Sequence, residues 1–187
     1  MPKCKNCKVK FVAKWFNQKY CMDNDECIKQ FNESVKLLRS KQNEKAKANE
    51  KKAKIEKLMT NSEWLKLLQI VFNKYIRLRD VAKGCISCGG QLNKKFDAGH
   101  YYSVGAYPNL RFNEDNCHGQ CVFCNQHRHG NIHEYSINLP NRIGQERFEL
   151  LTTNRGQPLK LTIPEIKDNI KIYKLKIKEL ENEFTIN

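Results

Sequence analysis

The order of apolar and polar positions divides the chain into stretches of different kinds. From Thr60 onward, Trp64, Leu65, Leu68, Val71, Phe72, Tyr75, Ile76 and Leu78 recur at intervals of three and four. That period predicts a buried amphipathic helix, because side chains at this spacing share one helix face. Thr60 and Glu63 have capping-box spacing and mark its start. A second stripe, Ile166, Ile170, Tyr173, Ile177 and Leu180, follows Thr162, Pro164 and Glu165 and predicts a capped C-terminal helix. This helix is expected to pack on the core, and its regularity keeps a homodimer in view. A shorter helix is expected around Ile143 to Leu151, ended by a polar loop with Gly156 and Pro158.

Phe31 to Asn61 reads differently. Nine Lys or Arg face four Glu there, and between Leu38 and Ile55 the only apolar side chains are alanines. Strong helix formers without a stripe to bury predict an exposed helix. It is read either as a spacer or as a basic arm lying along phosphates, with Lys51 and Lys52 among its contacts. Ahead of it, Cys4, Cys7, Cys21 and Cys27 are spaced as a structural zinc site, since four thiolates leave no open coordination position. Phe11, Val12, Trp15, Phe16 and Tyr20 are the apolar side chains this mini-domain has to bury, and so few cannot fold it without metal.

Charge then narrows the partner. Lys and Arg number 34 against 20 Asp and Glu, a formal charge of +14 over 187 residues. Two zinc ions bound by eight thiolates bring this to roughly +10, which still points to a polyanion and most often to nucleic acid. No apolar run approaches the roughly 18–20 residues of a membrane span, and no signal core opens the chain. A cytoplasmic protein is expected, in which nine cysteines, eight of them well spaced, mean metal rather than disulfides.

The densest chemistry lies between Cys85 and Gly130. C-x2-C at Cys85 and Cys88 and again at Cys121 and Cys124 predicts a second zinc, stapling the ends of a segment that holds His100 and Asn116, with Asn125 directly after. Cys117 stands outside both pairs and is read as a small buried apolar residue.

This layout resembles the zinc-stapled HNH, or ββα-metal, nucleases, and the wording FDAGHYYSVGAYPNLRFNEDNCHGQCVFCN is similar to the phage NinG/Rap recombination family. The resemblance implies an α+β fold, mostly helical. It combines a small ββα-metal unit stapled by a Cys4 zinc, an N-terminal Cys4 mini-domain and long helices. The expected divisions are 1–31 for the mini-domain, 32–61 for the basic linker, 62–152 for the HNH-like domain with its preceding helix, and 153–187 for the C-terminal helix. The hairpin is expected as KKFDAGHYYS returning through NLRF, with a helix over Asn125 to Tyr135 completing the unit. On that helix His129 and His133 would share a face.

The resemblance further implies His100 as general base, Asn116 holding it in orientation, and Asn125 as a ligand of catalytic Mg²⁺ or Mn²⁺. Many family members carry Asp immediately before the histidine, where this chain has Gly99. Asp97 is the nearest carboxylate, and His118 or His127 are the other replacements. Arg128, Lys94 and Lys95 are placed to meet phosphates. The implied activity is a metal-dependent DNA endonuclease cutting Holliday junctions and forks, encoded by a phage or prophage in a bacterial host. A zinc-stapled accessory protein that binds branched DNA without cutting it is the alternative.

Overall fold

The computed structural model describes residues 1–92 and 95–186, so Lys94 lies outside the described residues. The chain divides into two units, Met1–Met59 and Thr60–Asn187.

In the first unit a loop bearing three cysteines leads into α1, Asp25–Leu58. Asn24 caps α1, its Oδ1 accepting from Cys27 N at 2.8 Å, so the fourth cysteine sits in the first helical turn. Phe11 and Tyr20 are buried with the cysteines, and Phe31 sets its ring edge-on to Tyr20. Val12, Trp15 and Phe16 were also expected inside, but they are exposed, Phe16 at 97%. Four sulfurs already fill the middle of so small a unit, which leaves room for two rings. Beyond Cys27 no residue of α1 is buried.

The second unit begins with α2, Asn61–Asp80, whose Thr60–Glu63 capping box is fully formed. Its buried face (Trp64, Leu68, Phe72, Tyr75 and Ile76) meets Ile166, Ile170, Tyr173 and Ile177 of the C-terminal helix α5, Ile163–Ile186. Phe72 and Tyr173 pack edge to face with centroids 5.1 Å apart. The C-terminal stripe is therefore covered by α2.

Between these helices lies the cysteine-stapled segment. Strand β1, Phe96–His100, pairs antiparallel with β2, Cys117–Cys121, opposing Asp97 to Gln120, Gly99 to His118 and His100 to Cys117. Opposed residues share a face and neighbours alternate, so one face carries Asp97, Gly99, His118 and Gln120. The other carries His100, Cys117 and Gly119 and turns toward α2, where His100 lies near Phe72 and Gly119 meets Asp80. The return strand is thus not NLRF: Pro108–Leu110 forms a 3₁₀ turn with Leu110 buried, and the chain pairs only after Asn116.

A π-helical turn, Phe123–His127, follows β2. The helix expected from Asn125 to Tyr135 is broken here by His129, Gly130 and Asn131, all at positive φ. His129 therefore precedes the helix that holds His133. That helix, α3, runs Ile132–Ile143, and Gly144 (φ 90°) separates it from α4, Gln145–Thr153, displacing the helix expected at Ile143 to Leu151. Tyr135 and Leu139 of α3, Leu151 of α4, Ile86 and Leu110 form a second buried cluster, with Tyr101, Tyr102 and Tyr107 packed against it.

Candidate metal and active centre

Each set of four cysteines forms a closed cluster. Ligand atoms within each set lie within 4.8 Å of one another, and they are the only such groups of three or more among the described residues. Sulfurs at 2.3 Å from a tetrahedral zinc would stand about 3.8 Å apart. Cys4 and Cys27 are at 3.7 Å, Cys7 and Cys21 at 3.8 Å, and Cys88 and Cys121 at 3.9 Å. The donor set and spacing fit a structural Zn²⁺ at both sites. Backbone N–H groups point at the sulfurs, Cys21 N at Cys4 Sγ (3.4 Å) and Cys121 N at Cys85 Sγ (3.3 Å), which favours thiolate over thiol.

The second staple closes the segment that carries the hairpin. Asn116, fully buried, accepts from Tyr102 N at 2.8 Å and donates to the carbonyls of Tyr102 (3.0 Å) and Leu110 (3.1 Å). It thereby fixes the chain just beyond His100. The His100 ring is half-buried, with Nε2 at 2.9 Å from the Arg111 carbonyl and Nδ1 at 3.7 Å from Cys117 Sγ. A carbonyl can only accept, so Nε2 carries the proton and Nδ1 keeps the lone pair. Burial pushes the His100 pKa below the usual histidine range, the carbonyl bond acting the other way. Cys117 is fully buried, and burial pushes its thiol upward.

On the opposite face Asp97 Oδ2 accepts from Asn125 Nδ2 at 2.9 Å and from Gln126 Nε2 at 2.8 Å. With its nitrogen committed to Asp97, Asn125 turns Oδ1 toward Gly99, where a Cβ would lie 3.2 Å away. The structure thus unites two of the residues considered for the catalytic cation. His118 is engaged elsewhere: it is buried, Nδ1 sits 3.1 Å from Tyr135 Oη, and burial pushes its pKa down to about 3. His127 stands exposed beside the Phe123 ring. Arg128, also exposed, lies over that ring at 5.1 Å. Lys95 is exposed next to β1, and Lys51 and Lys52 are exposed on α1.

One anchor of this centre was not legible beforehand. Asp80, fully buried at the end of α2, takes a bidentate pair from Arg79 at 2.8 and 2.7 Å and accepts Gly119 N at 2.9 Å. Arg79 reaches on to the carbonyls of Glu114 (3.1 Å) and Cys117 (2.8 Å). Burial works to raise the Asp80 pKa, but Arg79 and Gly119 N–H hold it below the usual carboxylate range. Nearby Glu114 joins Tyr75 Oη (2.8 Å) and Lys176 (2.6 Å), tying α5 to the same corner. An adjacent Arg–Asp at a helix end reads in sequence as a solvated pair, and only the arrival of β2 makes it a clamp.

A short antiparallel hairpin, closed by a Cys4 staple and followed by a helical turn, defines a zinc-stapled, HNH-like ββα unit on a mostly helical chain. The chain matches the model of the family described as "Bacteriophage Lambda NinG protein" over residues 1–183, and it belongs to that family. It is 39% identical to Protein ninG of Escherichia phage 933W over 194 residues, covering 96% of this chain and 94% of the relative. Protein ninG of Escherichia phage lambda is 38% identical (96% and 93% covered), and that of Salmonella phage P22 is 35% identical (96% and 94%). No solved structure matches the chain. Among the described residues no helix is long and apolar enough to cross a membrane.

Proposed function

We propose that this chain is a metal-dependent DNA endonuclease acting on branched recombination intermediates such as Holliday junctions and forks. The observation that carries the reading is the meeting of Asp97 with Asn125 beside Gly99, on a hairpin held shut by the Cys4 staple. Carboxylate and amide oxygens are the hard donors that Mg²⁺ and Mn²⁺ take, so the residues fit such a cation. When bound, that cation supplies charge neutralisation at the scissile phosphate and the departing oxygen. The resemblance makes His100, at the end of β1, the base for the attacking water: Nδ1 is its unprotonated nitrogen and burial favours the neutral ring, which has to turn away from Cys117 and α2 to reach a water on the Asp97 face. Asn116 positions the backbone that carries it. Arg128, Lys95, Lys51 and Lys52 contact phosphates, in keeping with a net charge of +14.

A second reading is favoured by one observation. Both ring nitrogens of His100 already face protein groups, Arg111 O and Cys117 Sγ, and the ring turns toward α2. A branched-DNA-binding protein that does not cut would look the same there. The zinc-loaded protein is to be incubated with labelled four-way junction, Y-fork and linear duplex, with and without Mg²⁺ or Mn²⁺, beside His100→Ala. Cation-dependent cutting of the branched substrates is expected, reduced by roughly 10²–10⁴ in the variant. Equal junction binding by both proteins with no cutting under either cation would install the binding reading instead.

A further inference from the structure

One more oxygen on the Asp97 face of the hairpin stands without a partner. Gln120, in the middle of β2, is 0% exposed, and its Oε1 is buried without a hydrogen bond. An amide oxygen in that state has given up its hydration for nothing, so native structures rarely leave one without a ligand, a water or an ion.

Turning the amide over does not resolve it. Gln120 Nε2 donates to the Gly130 carbonyl and to Ser87 Oγ. A carbonyl only accepts, so the nitrogen has to face Gly130 and the oxygen has to face away. Away means toward Gly99, where an added Cβ would collide with Gln120 Oε1 and lie 3.2 Å from Asn125 Oδ1. The Gln120 oxygen therefore takes the space that a side chain at residue 99 would fill, and Asn125 Oδ1 lies next to it. Asp97, opposite Gln120 in the ladder, brings a carboxylate to the same face and binds Asn125.

We infer that Gln120 Oε1 is a third protein ligand, with Asp97 and Asn125, for a hard divalent cation held beside Gly99. The inference rests on the cation assignment proposed above and adds a ligand from the other strand. It gives the unpaired oxygen its partner and explains why the position before His100 is a glycine. The hydrogen bonds to Ser87 and Gly130 act as the outer support that aims the amide. Three oxygen ligands leave the rest of the shell to water and a phosphate oxygen, as small hard cations prefer.

The test is Mn²⁺ titration of the zinc-loaded full chain without DNA, read by the paramagnetic resonance signal of free Mn²⁺. Gln120→Met keeps the length of the side chain but offers a soft sulfur that Mn²⁺ does not favour. Gly99→Ala sets a methyl group against the Gln120 and Asn125 oxygens and displaces them. One Mn²⁺ per wild-type chain is expected, with affinity reduced about tenfold or more in each variant, while zinc content and circular dichroism stay at wild-type values. If Gln120→Met loses zinc or helix signal, Gly99→Ala decides the matter by the same comparison. Absence of stoichiometric Mn²⁺ binding by the wild type, or wild-type affinity in the folded variants, overturns the inference. Junction cutting is scored separately. A protein that cuts while Gln120→Met binds Mn²⁺ normally keeps the nuclease and loses this ligand, whereas Gln120-dependent Mn²⁺ binding in a protein that cuts nothing keeps the site and loses the nuclease.

Discussion

In the first unit the four sulfurs come from Cys4 to Cys27, and beside them only Phe11 and Tyr20 are buried in its cluster. In the second unit the sulfurs come from Cys85 to Cys124, yet the larger cores lie outside the staple, between α2 and α5 and around Tyr135. The same ligand chemistry thus does two jobs. The N-terminal cysteines are the centre of their unit's buried cluster, whereas the second set is a clasp on a hairpin that α2 also grips through Asp80 and Gly119. The difference teaches that a Cys4 site discloses where metal binds and says little about what depends on it.

Breaking each zinc site gives the largest contrast. Structural zinc contributes roughly 10–16 kcal/mol in small units, more than such a unit's whole stability. Cys21→Ser should therefore erase the order of the N-terminal loop while α2 and α5 keep their cooperative melt. Cys124→Ser should loosen the hairpin and abolish any cutting, with the α2–α5 core still folded. Backbone NMR spectra of the two variants read both outcomes, and a Cys124→Ser protein that lost α2–α5 as well would erase the contrast.

The second grip is tested by Asp80→Ala. Removing one partner of a buried pair typically costs about 3–5 kcal/mol, and here Arg79 and Gly119 N–H lose their acceptor together. Urea unfolding of the second unit should show that loss. A smaller one, about 1–3 kcal/mol, is expected for Gly119→Ala. Its Cβ would come within 2.7 Å of Leu92 Cδ1 and 3.0 Å of Asp80 Cβ. Neither substitution should move the melt of the N-terminal unit.

Acidity separates the site from its frame. A histidine with a lowered pKa stays neutral to lower pH than the usual value near 6.5, so the acid limb of the kcat/KM profile should fall below about pH 6.5. A limb at or above that value would remove His100 as the base. The mildest effect belongs to α1: Lys51→Ala with Lys52→Ala should lower the salt slope of junction binding by about 2 at most, with cutting at saturation unchanged.

Much of this could be read from the chain, because cysteine spacing and helical stripes are strong, local signals. Both Cys4 sets, the Thr60 and Thr162 caps and the α2 and α5 stripes are of this kind. The hairpin partner was missed because β2 reads CHGQC, with no β-branched or aromatic residue to announce a strand. Its pairing is imposed from outside by Cys121 in the staple and by Asp80 on Gly119. Gly130 was a visible stop that the expected helix ran through, and its meaning lay in the carbonyl it offers to Gln120. Gln120 itself carried no signal, since its role depends on what residue 99 lacks.

Helix α1 has 34 residues and buries none after Cys27. At 1.5 Å per residue it is a rod about 51 Å long, matching about fifteen base pairs of duplex. Under the proposed function, a rod of that span would set how far along a duplex its charges reach. Deleting whole turns from its middle would shorten that reach while removing no buried side chain.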